Sequence, residues 1–195
     1  MNFLYHGTSA NFLKPILKKG LRARRPASKG NFPDLPSGHG RVYLSDTFAL
    51  YYAFQMSQRF NRDAVLVRIN THMMNVCNFR PDEDYIAADK SGSHDFAQIR
   101  TEETLNKHKR ILMARKYADE HPELSTLSLE KHGTVAYKGK IYPTMFAGIA
   151  IVPKAEVFSI IMQQYDPCPG ILSASFLGSE YRQTHSEIFE KYRKY

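Results

Sequence analysis

Four short segments near the start of the chain constrain its fold most, because each combines a secondary-structure pattern with residues suited to a binding site. Residues 4–8 (LYHGT) predict a short apolar strand that ends in small and polar side chains. Residues 16–22 (ILKKGLR) predict the end of a helix, since glycine is a natural helix stop. Residues 42–46 (VYLSD) predict a second strand, and residues 49–53 (ALYYA) the start of a second helix.

The remaining pattern is that of a mixed α+β chain. Strands are predicted at residues 3–6, 41–45, 64–69, 133–140, 146–152 and 157–162, and helices over about 11–19, 46–59, 101–120 and 184–195. We expect Asp46 or Thr47 to cap the second helix. Residues 24–40 are rich in Arg, Pro, Ser and Gly and indicate a long loop, of a kind that often carries function. Residues 81–89 are expected to be an acidic short helix or loop, and residues 166–170 a turn.

The 195 residues of the chain are the size of one ordinary domain, and 43% of them are hydrophobic, enough to bury a core. No apolar run approaches the ~20 residues that a membrane-spanning helix needs, and the N-terminus lacks the pattern of a secretory signal. The cysteines, Cys77 and Cys168, are far apart, and the eight histidines are scattered. These features predict a cytoplasmic protein with no metal site and no membrane partner.

The formal net charge is +8, and the basic residues crowd three stretches of the chain. Basic surfaces attract nucleic acid through its phosphates. The charge therefore favours a partner that is nucleic acid, or an acidic neutralising protein. The candidate target-binding residues are Arg24, Arg25, Lys29, Lys107 and Arg110.

Taken together, the four opening segments resemble the NAD-binding half of the ADP-ribosyltransferase superfamily, on the branch of poly(ADP-ribose) polymerases and diphtheria toxin. That branch has a strand with His-Gly-Thr or His-Gly-Ser, a helix ending in Gly-Leu-Arg, a strand with Tyr and a helix with Ala-x-Tyr or Ala-x-x-Tyr. The resemblance implies one α+β domain over 1–195, built on a split mixed or antiparallel sheet with flanking helices. Its expected parts are an NAD-binding half (about 1–70), an inserted helical segment (about 80–122), late strands (about 133–162) and a C-terminal extension (163–195).

The resemblance assigns cofactor-binding roles to residues of the first strand and helix. His6 would hydrogen-bond the adenosine-side ribose of NAD, and the backbone of Gly7 would approach the nicotinamide carboxamide. Thr8 matches the hydroxyl residue that follows, although a plain strand end explains it equally well. Arg22 would approach the adenine. The alternative interpretation is that Arg22 is an exposed cation that favours a helix end without binding a ligand. Residues 24–40 would be the donor loop that covers NAD.

Three tyrosines match the aromatic walls of the nicotinamide site. The ring of Tyr43 would flank the nicotinamide, because an aromatic face suits a flat cationic ring. Either Tyr51 or Tyr52 would be the tyrosine of the following helix. Counting from Ala49 favours Tyr51, whereas the Tyr-Ala pairing favours Tyr52, and the other tyrosine would belong to the core.

The sequence departs from the family at its third motif, where many members carry a Glu on a late strand. The matching position is Thr134, or Ala136 as the next choice, and neither is acidic. Three explanations stay open, of which we favour the first. In the first, the protein is a mono-transferase that works without this Glu. In the second, Glu102, Glu103 or Glu130 reaches the site from elsewhere in the chain. In the third, the chain carries a disabling Glu→Ala change.

The sequence therefore predicts an enzyme that uses NAD to ADP-ribosylate a macromolecule, with nucleic acid favoured over protein. Small size and basic charge resemble bacterial or phage toxins and defence effectors of this superfamily, for which a neutralising antitoxin protein is expected. The alternatives are an RNA 2′-phosphotransferase, for which no convincing Arg and His set is present, and a catalytically inactive module that binds ADP-ribose or nucleic acid. Release of nicotinamide from NAD separates an enzyme from a binding module.

Overall fold

The computed structural model of the chain describes residues 2–23, 40–83, 86, 107–164 and 185–194, with only the backbone for residues 107–111 and 162–164. Residues 24–39 of the predicted loop, the predicted turn at 166–170 and the predicted helix start at 101–106 lie outside the described residues. The α+β class predicted from the sequence is confirmed, since the described residues contain helices and an antiparallel sheet.

The strands are β1 (Phe3–Ser9), β2 (Arg41–Ser45), β3 (Ala64–Asn70), β4 (Phe79–Pro81), β5 (Thr134–Lys138) and β6 (Phe146–Val152). In the described part of the chain they form one sheet in the order β4-β5-β2-β1-β3-β6, and every pairing is antiparallel. The strands predicted at 41–45 and 146–152 match β2 and β6 residue for residue. The short β4 has no counterpart in the sequence prediction.

The helices are α1 (Leu13–Lys19), α2 (Ala49–Phe60), α3 (Lys107–Glu120), α4 (Ser125–His132) and α5 (Lys154–Gln164). Residues 185–192 are also helical, as predicted, and are called the C-terminal segment below. The pattern of the sequence did not indicate α4, which lies between Pro122 and β5. Within the described ranges, no helix combines the length and apolarity needed to cross a membrane.

The strand predicted at 157–162 is wrong, because these residues belong to α5. Their β-branched side chains suggest a strand, yet the buried ones, Val157 and Ile161, are four residues apart and lie on one helix face. Pro153 precedes the helix and accepts the amide of Val157 at 3.0 Å. The side chain of Asp63 accepts the amide of Lys154 at 3.0 Å, and such a cap from a distant loop leaves no signal in the local sequence.

Two apolar cores lie on opposite faces of the sheet, and β3 contributes to both. Leu66 belongs to the core that contains α2, α5 and the C-terminal segment. Its neighbours Val65 and Val67 belong to the core that contains residues of α1. Alternate residues of a strand point to opposite faces, so a strand that is apolar at every position is buried on both sides.

The start of α2 is held by side chains other than the predicted caps. Ser45 Oγ accepts the amides of Thr47 at 3.0 Å and Phe48 at 2.6 Å, so neither Asp46 nor Thr47 acts as the cap. The next open amide, that of Leu50, donates to Nε2 of His185 in the C-terminal segment at 2.9 Å. Because His185 is 135 residues away in sequence, α2 depends on a long-range partner for its first turn.

Candidate functional site

The two central strands, β1 and β2, are barely paired with each other. β1 pairs with β3, and β2 with β5, along their whole lengths. Between β1 and β2, both of which are fully described, the register contains Tyr5 opposite Ser45 and no further pair. The same register would place Gly7 opposite Tyr43, where no ladder forms. We call the stretch beyond this register, Gly7–Ser9 on β1 and Arg41–Tyr43 on β2, the β1–β2 opening.

His6 spans this opening with its side chain. The ring is half-buried, and its Nδ1 lies 2.9 Å from the backbone oxygen of Tyr43. A carbonyl oxygen can only accept a hydrogen bond, so Nδ1 carries the proton. In the neutral ring, Nε2 is therefore the acceptor nitrogen. The contact joins the His6 ring to the backbone of Tyr43, and the role of the two residues in one binding site stays a prediction.

Gly7 has a packing reason to be glycine. A Cβ on Gly7 would lie 1.8 Å from the backbone oxygen of Ala49 and 2.7 Å from the amide nitrogen of Ala53. Helix α2 therefore crosses β1 in direct backbone contact. Packing against α2 therefore already explains why residue 7 is glycine. The approach of the Gly7 backbone to a bound nicotinamide stays a prediction.

The contact of α2 with β1 separates the two candidate tyrosines of that helix. Ala49 and Ala53 are one turn apart and face Gly7. Tyr52 flanks this contact face, whereas Tyr51 lies on the far side of the helix, where its hydroxyl accepts from Gln55 at 2.9 Å. Both rings are half-buried and pack against the core below α2. Geometry therefore favours Tyr52 as the tyrosine nearer the β1–β2 opening.

Tyr43 contacts a carboxylate that the sequence did not point to. Its hydroxyl donates to Oε1 of Glu83, a residue with no exposed side-chain surface. The other oxygen of Glu83 accepts from Nη1 of Arg41 at 2.8 Å, and Nε of Arg115 lies 3.6 Å from Oε1. Glu83 follows β4 and was predicted only as part of an acidic stretch. Its partner Tyr43 is 40 residues away, and no local pattern connects the two.

The charges of this cluster are those of an intact ion pair. Burial by itself would lower the pKa of Arg41, but the carboxylates of Glu83 and Asp119 together raise the pKa above its ordinary value. The guanidinium of Arg41 is therefore charged at all relevant pH values. Its ion pair holds the Glu83 carboxylate in place beside the Tyr43 hydroxyl.

The two positions proposed for the family Glu lie on β5, beside Tyr43. Thr134 is opposite Ser45, Ala136 is opposite Tyr43, and both are buried. Ala136 is in turn opposite Arg80 on β4, so a small residue separates Arg80 from Tyr43 across the sheet. Of the carboxylates suggested to reach in from elsewhere, Glu130 is exposed. Glu102 and Glu103 lie outside the described residues, and the carboxylate that reaches Tyr43 is Glu83.

Of the other candidate residues, Thr8 lies within the β1–β2 opening, and no contact described brings the rest to it. Thr8 is buried, and Arg22 is exposed just after the Leu21–Ile141 bridge. The backbones of Lys107 and Arg110 belong to α3, but their side chains lie outside the description. Arg24, Arg25 and Lys29 lie outside the described residues altogether. Among the described residues, no group of three or more His, Cys, Asp or Glu side chains is placed to hold a metal ion.

No protein-family model matches the chain, and no curated protein matches it significantly. Inference about function therefore starts from the geometry of the β1–β2 opening and the residues around it.

Proposed function

We propose that this protein is a cytoplasmic, NAD-dependent mono-ADP-ribosyltransferase that modifies a macromolecule, with the split-sheet fold of the ADP-ribosyltransferase superfamily. The observation that carries the proposal is the β1–β2 opening itself. His6 bridges it, and the hydroxyl of Tyr43 touches the buried carboxylate of Glu83 beside it. An acceptor nitrogen, an aromatic ring and a carboxylate are the groups needed to hold a ribose and a nicotinamide.

His6 is suited to orient the donor ribose. Its Nδ1 proton is directed to the Tyr43 carbonyl, so Nε2 of the neutral ring can accept from a ribose hydroxyl. A bond from the ring to the backbone also fixes the orientation of the imidazole, and such fixed geometry lowers the entropy lost on the way to the transition state. In this proposal His6 binds and orients NAD and does not transfer a proton.

Tyr43 and Tyr52 are suited to stack on the two faces of the nicotinamide. The nicotinamide ring of NAD is cationic, and the face of a tyrosine ring attracts a cation. Glu83 fixes the Tyr43 ring through its hydroxyl, while α2 carries Tyr52 on a helix that is packed directly on β1. Each wall is therefore held by contacts that do not depend on the ligand.

Glu83 would supply the negative charge that Thr134 and Ala136 lack. In the transfer, the bond between the anomeric carbon and nicotinamide breaks, and its electron pair leaves with nicotinamide. Positive charge develops on the ribose, and a nearby fixed carboxylate stabilises it. The acceptor then forms a new bond to the anomeric carbon and loses a proton. Glu83 is not among Glu102, Glu103 and Glu130, the residues suggested for this role from the sequence.

The acceptor in this proposal is nucleic acid, RNA or DNA, in preference to protein, because the chain carries a formal net charge of +8. A toxin or defence effector with a neutralising partner fits a small basic enzyme of this kind. A module that binds ADP-ribose without turnover is the second candidate. The saturation of the Glu83 carboxylate by Tyr43 and Arg41 favours that candidate, since a catalytic carboxylate must reach its substrate.

Release of nicotinamide tests the proposal. The purified chain is incubated with NAD, alone and with a cell extract, and free nicotinamide is measured by chromatography. We expect release by the wild type and a loss of about 100-fold or more in His6→Ala, since misplaced ribose geometry alone can cost that much. His72→Ala, which changes an exposed histidine bound to Asn2, is the matched control and should keep full turnover.

Labelled NAD then identifies the acceptor. Label in the extract that RNase or DNase removes indicates a nucleic-acid acceptor, whereas label that only protease removes indicates a protein. A folded wild type that binds ADP-ribose and releases no nicotinamide under any of these conditions would establish the binding module instead. Turnover that His6→Ala leaves unchanged would contradict the assignment of the β1–β2 opening as the site.

A further inference from the structure

Three cationic side chains converge on one carboxylate oxygen next to the proposed site. Oδ1 of Asp119 lies 3.1 Å from Nη2 of Arg41, 3.5 Å from Nε of Arg80 and 3.5 Å from Nζ of Lys138. The three cations come from β2, β4 and β5, and Asp119 comes from α3. Three strands therefore direct positive charge to a single point.

The register of the sheet puts these cations on the same face as Tyr43. Arg80 is opposite Ala136, which is opposite Tyr43. Arg41 is opposite Lys138 in the row two residues along. Opposed residues share a face, and so do residues two apart on a strand. The point of convergence is therefore adjacent to the ring that we assign to the nicotinamide.

In the part of the chain that the structure describes, the ion pairs of this cluster join more cations than carboxylates. Four cations (Arg41, Arg80, Arg115 and Lys138) are paired with the two carboxylates Glu83 and Asp119. Within it, Nε of Arg80 and both Nε and Nη2 of Arg115 are buried without a hydrogen-bond partner. Buried donors of a charged group are costly to leave unpaired. An anion that offers more acceptor oxygens than Asp119 does would supply hydrogen bonds that the cluster lacks.

Asp119 is poorly placed to remain permanently between these cations. It is the penultimate residue of α3 (Lys107–Glu120), where the helix dipole is negative and disfavours a carboxylate. Its side chain is 42% exposed, so it can turn towards water without disturbing the core. Arg41 and Arg80, in contrast, are 4% and 15% exposed and are held by the sheet. The two guanidinium groups are held in the sheet, whereas the carboxylate between them lies at the surface.

We propose that Arg41, Arg80 and Lys138 form a phosphate subsite, which Asp119 fills in this structure and which a backbone phosphate of the nucleic-acid acceptor takes over on binding. Guanidinium groups match the geometry of phosphate oxygens. A phosphate offers several acceptor oxygens, whereas Asp119 presents a single oxygen to three cationic side chains. The subsite would place the acceptor strand beside Tyr43. Its role in acceptor binding rests on the proposed function, but phosphate binding itself requires no cleavage of NAD.

Binding of a labelled single-stranded oligonucleotide, RNA or DNA, tests the subsite without any turnover. Fluorescence anisotropy gives the affinity over a range of salt concentrations, with no NAD present. We expect Lys138→Gln to weaken binding several-fold and to reduce the slope of log affinity against log salt by about 0.7, the value for one lost contact to a single-stranded phosphate backbone. We expect Arg80→Gln to act in the same direction, and Asp119→Asn to tighten binding because the competing carboxylate is gone.

The controls address folding and diffuse charge. Lys138 is 55% exposed, so Lys138→Gln should keep the wild-type melting temperature. Arg80 also donates to two backbone oxygens, so the affinity of Arg80→Gln is interpreted only if this variant melts at the wild-type temperature. Lys191→Gln removes a charge from the C-terminal segment, which joins the sheet at β6, the edge opposite to β4. An equal loss of affinity in Lys191→Gln and Lys138→Gln would mean diffuse attraction and would overturn the subsite. So would weaker binding by Asp119→Asn.

A second ligand distinguishes the two sources of phosphate. If Lys138→Gln weakens binding of NAD and leaves the oligonucleotide unaffected, the subsite holds the pyrophosphate of the donor and the acceptor assignment is wrong. The nicotinamide assay separates this proposal from the proposed function. If nicotinamide is released and the affinity for the oligonucleotide does not depend on Lys138 or Arg80, the subsite alone is overturned. If the affinity for the oligonucleotide depends on both residues and no nicotinamide is released, the proposed enzymatic function alone is overturned.

Discussion

The sheet is stabilised differently on the two sides of the β1–β2 opening. On the side of β1, β3 and β6, apolar side chains such as Leu66 and Phe189 pack under α2, α5 and the C-terminal segment. On the side of β2, β5 and β4, one face carries the buried ion pair of Arg41 and Glu83. Apolar packing is divided over many contacts, whereas a buried charge depends on one or two partners. The first side should therefore tolerate substitutions gradually and the second should not.

Glu83→Ala should have the largest effect, because it removes the partner of a buried guanidinium. Breaking a buried ion pair from one side costs about 3–5 kcal/mol. The free energy of unfolding, measured by urea denaturation, should fall by that amount, and nicotinamide release should be lost. The double variant Glu83→Ala with Ala136→Glu returns a carboxylate beside Tyr43 from the opposed position on β5. Partial recovery of turnover in the double variant would show that the carboxylate itself is needed, and no recovery in a folded double variant would count against that role.

Gly7→Ala should be the most damaging small change on the apolar side. The added methyl group meets the backbone of α2, which cannot move aside as a side chain can. Overpacking of this kind typically costs about 1–3 kcal/mol. The melting temperature checks it, with Gly40→Ala as the comparison for backbone strain without a steric clash, since Gly40 has a φ of 79° and a Cβ there meets nothing within 4 Å. Equal stability of Gly7→Ala and wild type would contradict the direct backbone contact.

His185→Phe should destabilise the apolar side by a smaller amount through a polar contact. The phenyl ring keeps the aromatic contact with Tyr5, whose ring centre is 5.8 Å away, but it cannot accept from the amide of Leu50. A buried amide without an acceptor costs about 1–3 kcal/mol, and some of this is recovered if the helix start shifts. Hydrogen exchange at Leu50 should accelerate more than at amides of β3. Uniform acceleration across the chain would mean global destabilisation without a local effect on α2.

Tyr52→Leu and Tyr51→Leu should differ in their effect on NAD. Loss of an aromatic face costs roughly 0.5–1.5 kcal/mol beyond lost area, so we expect several-fold weaker NAD binding in Tyr52→Leu. Tyr51→Leu, on the far side of α2, should bind NAD nearly as the wild type does. Titration calorimetry of both variants decides between them, and a larger loss in Tyr51→Leu would reverse our assignment of the helix tyrosine.

The parts of the fold that the sequence predicts well are those set by local pattern. Strands 41–45 and 146–152 alternate or run apolar over short stretches with clear ends, and β2 and β6 match them. Of the site residues that the sequence singled out, His6 contacts the backbone of Tyr43, and their shared role in binding stays a prediction.

What the sequence could not predict depends on distant partners. The helical state of Val157 is fixed by a cap from Asp63, and the role of Glu83 is fixed by Tyr43 and Arg41, each about 40 residues or more away. For Gly7, the family resemblance predicted close approach of a ligand, which stays a prediction, and the neighbour that the structure shows is α2. A sequence shows that glycine is needed without showing what comes close.

The hydrogen bond between Leu50 and His185 also sets an order of events during synthesis. Its partners are 135 positions apart, and Phe189 of the same segment completes the core beneath α2. A ribosome adds about 5–20 residues per second, so the helix that carries Tyr51 and Tyr52 waits on the order of ten seconds for its first-turn partner to be made. An unfinished chain therefore has the strand with His6 and the strand with Tyr43, but lacks the segment that completes the first turn of α2 and the core beneath it.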